Sequence, residues 1–309
     1  MNTKQIGALL LLSALWGGSF LFMRIAAPVL GPVLLIELRV LIAGVALLVY
    51  MLVTRSAFDL RARWKHYLVI GIINSAIPFT LIATAELYLT AGLAATLNAT
   101  SPLFGAVVAA IWINEALTKK KVIGLALGLL GVSILVGWSP FPFSLTLAIS
   151  VAASLAAAAC YGIGGVYTKV YMQGASSKAV ATCSQLGAAL VLLPLMFVAP
   201  SRHAPTPIVL LAVVALALLG TAVAYLLYFW LIEHAGPTRA LTVTFLAPIF
   251  GVLWGTVLLS EPLSLSTFIG FGIILMGTGF VTGIRLRKEP IIPPVEQTQR
   301  DDRENVLTS

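Results

Sequence analysis

The sequence predicts an all-α integral membrane protein: ten transmembrane helices arranged as two inverted five-helix repeats, with both termini in the cytoplasm. Three observations predict it. Of the 309 residues, 60% are hydrophobic and only 10% are charged, whereas a soluble domain carries about 25% charged residues. So few polar groups cannot cover a water-exposed surface, which makes lipid the outer solvent. The apolar residues fall into ten segments, each close to the roughly 20 residues that cross a bilayer core about 30 Å thick. The second half of the chain also repeats the first.

The segments lie at about 5–27, 32–54, 67–86, 90–113, 121–138, 145–168, 179–199, 208–232, 238–259 and 264–284. The first, from Ile6 to Ala27, is too long for a signal-peptide core, and no small-residue cleavage site precedes a soluble domain. Leu30-Gly31-Pro32 breaks it from the second. A basic stretch, Arg55 to Lys65, leads into the third, and Lys119-Lys120-Lys121 opens the fifth. Ser139-Pro140-Phe141-Pro142, Gly174 to Lys178, Pro200 to Pro207 and Gly236-Pro237 supply turn chemistry at later breaks. From Lys288 the chain is polar and charged, which reads as a disordered cytoplasmic tail over 288–309.

Lysine and arginine placement sets the orientation. With the N-terminus inside, the inner segments hold Lys4, Arg55, Arg61, Arg63, Lys65, Lys119, Lys120, Lys121, Lys169, Lys178, Arg239, Arg285, Arg287 and Lys288. The outer loops hold Arg202, with Arg24 near a helix end. The net charge of +8 is therefore topological and not a nucleic-acid face. Cys160 and Cys183 both lie in apolar segments and read as small core residues. His66, His203 and His234 are scattered, so no metal site is expected. Walker, dinucleotide and nucleophile-elbow motifs are missing, so neither a cofactor nor ATP-driven pumping is expected.

Shifted by 146 residues, Pro102, Phe104, Gly105, Glu115, Leu117, Gly124, Gly131 and Gly137 fall on Pro248, Phe250, Gly251, Glu261, Leu263, Gly270, Gly277 and Gly283. A shift of 145 places Ala14, Gly17 and Arg24 on Ala159, Gly162 and Lys169. A proline, a glutamate and several glycines in one register are not chance. The repeats are 1–140 and 141–287. Each half has five spans, an odd number, so the second copy sits upside down. The charges agree: the loops at 55–65 and 119–121 are basic, while their partners near 200–207 and 260–264 hold one arginine. Inverted repeats are a transporter device, with the substrate near the midplane where the halves meet. Duplication that merely builds a stable bundle is the structural alternative.

The first span carries Ala14-Leu15-Trp16-Gly17-Gly18-Ser19-Phe20, the second Arg39 and Ala43. The repeat ends run from Pro102 through Asn114-Glu115 to Gly124 and Gly131, and from Pro248 through Ser260-Glu261 to Gly270 and Gly277. Across both halves the chain resembles the EamA family of the drug/metabolite transporter superfamily. The resemblance implies a ten-helix inverted-repeat fold and, in bacteria, export of amino acids or other metabolites. Two departures stand out: Glu37 beside Arg39, and Asn114 and Ser260 where the family usually has glycine before the repeat glutamate.

Candidate substrate-binding residues follow from polar or backbone-disrupting positions inside spans. Pro102 and Pro248 lack an N–H, which frees the carbonyls of Asn98 and Thr244, themselves repeat partners. Ser101 adds a hydroxyl nearby. Such groups need a protein partner or a water-filled cavity, so these positions either line a cavity or kink a packing helix. In the third and eighth spans, aligning Glu86 with Glu233 pairs Asn74 with Thr221 and Pro78 with Tyr225. Trp16 and Tyr161 occupy matching positions before glycines. Glu37 and Arg39 point about 200° apart on a helix of 3.6 residues per turn, so at most one faces the cavity. Arg39 binds a carboxylate, pairs with a helix end, or snorkels to the outer surface. Glu37 is the candidate proton site; Glu86 and Glu233 are candidates for gate contacts or proton coupling.

The leading reading is a secondary transporter or facilitator, monomeric, that exports amino acids or similar small solutes across the bilayer of the bacterial inner membrane. Proton-coupled drug or organic-cation efflux is the alternative within transport, and scarce buried acids weigh against it. A membrane enzyme or receptor is the alternative from another class; the clustered intramembrane His, Asp or Glu it would need are missing.

Overall fold

A capping box fixes the start of α1 (Thr3–Leu30): the Asn2 side chain accepts from the Gln5 N–H at 3.0 Å, and the Gln5 side chain accepts from the Asn2 N–H at 3.0 Å. Gly31, at φ +79°, ends it. Pro32 opens α2 (Pro32–Val53), where its missing N–H costs no helix bond. The structure is a computed structural model describing residues 1–56, 59–137, 144–199, 201 and 203–282.

The remaining helices are α3 (Leu60–Ala85), α4 (Ala91–Trp112), α5 (Lys119–Gly137), α6 (Leu145–Tyr171), α7 (Ser177–Val198), α8 (Pro207–Ala235), α9 (Val243–Leu259) and α10 (Leu265–Thr282). Nine of the described helices are long and apolar enough to cross a membrane; α9, at 17 residues, is shorter. The third span starts earlier than position 67 because Arg61, Arg63 and Lys65 continue as helix, helped by an Arg63–Asp59 pair at 2.8 Å one turn apart. The fourth and ninth are each interrupted, α4 at Ala99–Thr100 and the ninth at Leu241–Thr242, after a one-turn helix Pro237–Ala240. The expected polar tail, the break at 139–142, and Arg202, Arg285, Arg287 and Lys288 lie outside the described residues.

Helix partners repeat when the halves are exchanged, helix n for helix n + 5. α1 packs on α9 as α6 packs on α4; α1 packs on α8 as α6 packs on α3; α2–α7 and α5–α10 pair with each other. The register of close approach repeats too. A β-carbon on Gly17 would lie 2.6 Å from Ala247 O and 2.7 Å from Gly251 N. One on Gly162, the partner of Gly17, would lie 2.6 Å from Gly105 N, the partner of Gly251. Only glycine permits backbones this near. Between α5 and α10, Gly124 faces Gly277 O and Gly131 faces Gly270 O, with β-carbon positions 2.5 and 2.8 Å away. The rising number on one helix meets the falling number on the other, so α5 and α10 run antiparallel.

The largest buried cluster draws Ala26, Leu35, Ile36, Ala83, Ala94, Leu192 and Leu216 from α1, α2, α3, α4, α7 and α8. It seals one end of the bundle across both halves. A separate cluster, including Leu12, Leu231, Ala240 and Val243, binds α1, α8 and the start of the ninth span at the other end.

Candidate functional site

Two helices widen at matching places. Ile72–Ala76 in α3 and Leu218–Val223 in α8 are π-helical, one residue wider per turn. Such bulges are frequent at functional sites. They present Asn74 and Thr221, repeat partners, toward the middle of the bundle. Each bulge rests on the partner of the other's support. Gly220 lies beside Ser19 of α1, and Asn74 lies beside Gly164 of α6, the repeat partner of Ser19. Thr221 Oγ1 donates to Leu216 O at 3.0 Å, five residues back, which holds the wide turn.

Between the halves lies a cavity of about 350 Å³. Its wall brings together Trp16, Arg39, Asn74, Asn98, Ser101, Pro102, Tyr161, Tyr225, Thr244 and Pro248. Arg39 is buried, 4% exposed, so its side chain does not snorkel outward. Its Nε donates to Thr221 Oγ1 at 3.0 Å, and its guanidinium carbon stands 3.7 Å from the centroid of the Phe79 ring. No carboxylate lies within ion-pair distance of Arg39 among the described residues. Trp16 packs against Tyr225 and Tyr228, centroids 6.5 and 5.3 Å away, and Tyr161 against Phe79 at 6.3 Å. The chamber thus combines one buried cation, two amides, hydroxyls and aromatic faces.

The carbonyl of Asn98 is satisfied locally, which corrects the expectation of a free one there. At the α4 break, Ser101 Oγ donates to Asn98 O at 2.6 Å, Thr100 Oγ1 to Leu97 O at 2.6 Å, and Thr278 Oγ1 of α10 to Ala99 O at 3.0 Å. The second copy differs. Pro248 stays inside α9, and the interruption at Leu241–Thr242 lies four residues upstream of the positions matching the α4 break, where Thr244 Oγ1 donates to Leu241 O at 2.8 Å.

Pro78, expected at the site, is buried but off the cavity wall: it directly follows the π-helical turn and packs inside the bundle. Glu37 is buried and also off the wall, as its angle to Arg39 required; neither carboxylate oxygen has a hydrogen-bond partner among the described residues. Glu86 is fully buried at the end of α3, both oxygens likewise unpartnered, while Arg24 donates to its backbone carbonyl. Its repeat partner Glu233 is exposed at the end of α8. Sequence reasoning missed Met23, Phe79 and Ile82 on the wall. Apolar side chains in a membrane protein carry no signal separating cavity from core or lipid.

Asn114 and Ser260 both adopt φ +53°, the left-handed region. In each repeat the glutamate N–H then closes onto the carbonyl six residues back: Glu115 onto Ala109 and Glu261 onto Gly255, both at 3.1 Å. This conformation explains the preference for glycine there. The carboxylates diverge. Glu261 accepts from the N–H groups of Ala91 and Gly92, at 2.8 and 3.2 Å, at the start of α4. Glu115 accepts from Lys121 at 2.7 Å and Lys169 at 3.1 Å, and those hydrogen bonds hold its carboxyl below the ordinary value.

The profile of the EamA-like transporter family matches residues 3–137 and 148–283, one match per half. The chain is 27% identical over 299 residues to the uncharacterized inner membrane transporter YedA of Escherichia coli, covering 94% of this chain and 95% of that protein. It is 25% identical over 299 residues to a probable amino-acid metabolite efflux pump of Salmonella typhimurium, covering 93% and 98%. A solved crystal structure superposes with a TM-score of 0.64 at 21% identity, over 91% of this chain and 97% of that one, and so shares the fold. With both halves matched, the chain belongs to the EamA-like transporter family.

Proposed function

We propose that this protein is a secondary transporter that exports amino acids or similar small carboxylate-bearing metabolites across the bacterial inner membrane. Transport runs by alternating access of two inverted repeats, 1–140 and 141–287, around the central cavity, in a monomer with both termini cytoplasmic. The observation that carries the substrate class is Arg39. A buried guanidinium without a carboxylate partner is costly, and an incoming carboxylate would supply the missing anion through the donors the cavity exposes. Asn74, Asn98 and the tyrosine hydroxyls suit an ammonium or other polar group, and Trp16, Tyr161 and Tyr225 suit an apolar side chain. A cationic drug would meet Arg39 as a like charge, so organic-cation efflux is the weaker reading.

The inverted arrangement is supported by the shared glycine register, the antiparallel course of α5 against α10, and the basic bias of the Glu115 end. Export and the inner membrane are supported by what the relatives are called. Glu37 and Glu86 are the candidates for proton coupling, as buried carboxylates with unpartnered oxygens. A counterflow screen of the amino acids in proteoliposomes tests the reading. At least one should exchange in protein-containing vesicles and not in empty ones. If none moves, and none raises the protein's melting temperature, the transport reading fails. Substituting Glu37→Gln or Glu86→Gln separately should flatten the pH dependence of flux for whichever group couples; a dependence unchanged in both removes them as proton sites.

A further inference from the structure

The repeats share one local fold at their glutamates but not one state. At the Glu261 end, the carboxylate binds the start of α4, and α9 lies tight on α4. A β-carbon on Gly251 would sit 2.5 Å from Ala95 Cβ, and one on Gly92 would sit 3.3 Å from Val252 Cα. Glu86, at the end of α3, is fully buried. At the Glu115 end every equivalent is released. Glu115 is exposed and held by lysines, and Glu233 is exposed. Gly105, the partner of Gly251, has only Gly162 Cα within 4 Å of its β-carbon position, at 3.7 Å. Leu241, the partner of Ala95, is 45% exposed. α4 and α9 therefore cross like scissors closed at one end.

We infer that Glu261 and Glu115 are paired latches that close alternately, and that this structure holds the outer latch shut and the inner one released. The inference rests on the inverted-repeat transporter reading. Exchanging the halves writes out the opposite state residue by residue. Glu115 leaves Lys121 and Lys169 and moves to the start of the ninth span, where the partners of Ala91 and Gly92 are Pro237 and Thr238. Glu261 leaves α4 and meets Arg24, the partner of Lys169. Gly105 closes on Leu241. The two latches are unequal. The outer has two backbone N–H donors, but Pro237 has none, so the inner has only that of Thr238. That inequality biases the resting protein toward the state seen here, open at the cytoplasmic end by the charge bias.

Cysteines at Ala106→Cys and Thr238→Cys, the partners of Val252 and Gly92, with Cys160 and Cys183 changed to serine, report the inner closure in full-length protein in lipid vesicles. At the closed outer end the corresponding β-carbon positions lie 3.7 Å apart, within reach of a thiol pair, whereas those of Gly251 and Ala95 lie 2.5 Å apart, too near for one. A short thiol cross-linker should join a minor fraction of wild-type background molecules. Glu261→Gln should raise that fraction by about five-fold or more, because charge-assisted bonds to buried N–H groups are exchanged for a weaker exposed pairing. The double variant Lys121→Gln/Lys169→Gln releases Glu115 at one half-buried and one exposed lysine, leaving the buried contacts of the outer latch untouched, and should raise it as well. It keeps the test decisive if Glu261→Gln does not fold. A cross-linked fraction that neither variant changes, or that both lower, overturns the latches. Solute counterflow with an invariant cross-link leaves transport standing and the latches refuted; responsive cross-links without any flux do the reverse.

Discussion

At the residue scale, Arg39 sets what the cavity can hold. Its Nε is committed to Thr221, its Nη1 to Met23 Sδ at 3.5 Å and its face to Phe79, which fixes the guanidinium on the chamber wall. Arg39→Gln should cut counterflow of a carboxylate-bearing solute about ten- to hundred-fold, since a hydrogen bond to a charged group is worth about 1.5–3 kcal/mol. Arg39→Lys should rescue little, because an ammonium cannot span Thr221, Phe79 and the solute together. Two surface positions make a second test. Ser260→Gly should stabilise the protein by about 0.5 kcal/mol, relieving a left-handed serine at some entropic cost. Asn114→Gly should be close to neutral, because asparagine tolerates that region; the pair is compared by thermal unfolding in detergent. Glu115, its pKa lowered by Lys121 and Lys169, contributes stability above its ordinary value of 4.5 and loses it as pH falls through the lowered one. Acid sensitivity below pH 4.5 should therefore be smaller in Glu115→Gln. Polar candidates were legible in the sequence because a polar residue inside an apolar span is conspicuous. Met23 and Phe79 were not, since their role depends on which face of their helix the fold turns inward.

At the scale of elements, glycine register decides which helices cross closely. Gly124→Ala would put a methyl 2.5 Å from Gly277 O, an atom that cannot move without its helix. We expect about 1–3 kcal/mol of destabilisation. Gly7→Ala, also helical but with nothing within 4 Å, should be neutral or stabilising by up to about 1 kcal/mol. Equal effects at the two sites would contradict the crossing. The succession of apolar helices and most of their boundaries were readable from apolar runs and turn residues. The π-helical turns at Ile72–Ala76 and Leu218–Val223 were not, because one extra residue per turn leaves hydropathy unchanged. Nor was the displaced break of the ninth span. Pro248 has the same register as Pro102, yet the helix is interrupted four residues earlier than that register places it, after the one-turn Pro237–Ala240 helix.

At the scale of the molecule, one exchange operation relates the packing pairs, the bulges and the glutamate turns, and it fails at the displaced break of the ninth span and where the two ends of the bundle differ in closure. That is what a protein built from equivalent halves looks like in one of two states. The repeat was legible because proline, glutamate and glycine kept register across 146 residues. The state was not legible, since both states share one sequence. The claim at the centre of this account is that the chamber recognises a carboxylate through Arg39. It is tested most directly by counterflow of an amino acid found to be a substrate against its own amide, which lacks only the carboxylate, in proteoliposomes of the wild type and of Arg39→Gln. The account predicts that the wild type exchanges the acid and not the amide, and that Arg39→Gln loses the acid. Equal exchange of acid and amide by the wild type, or undiminished exchange of the acid by Arg39→Gln, would contradict it.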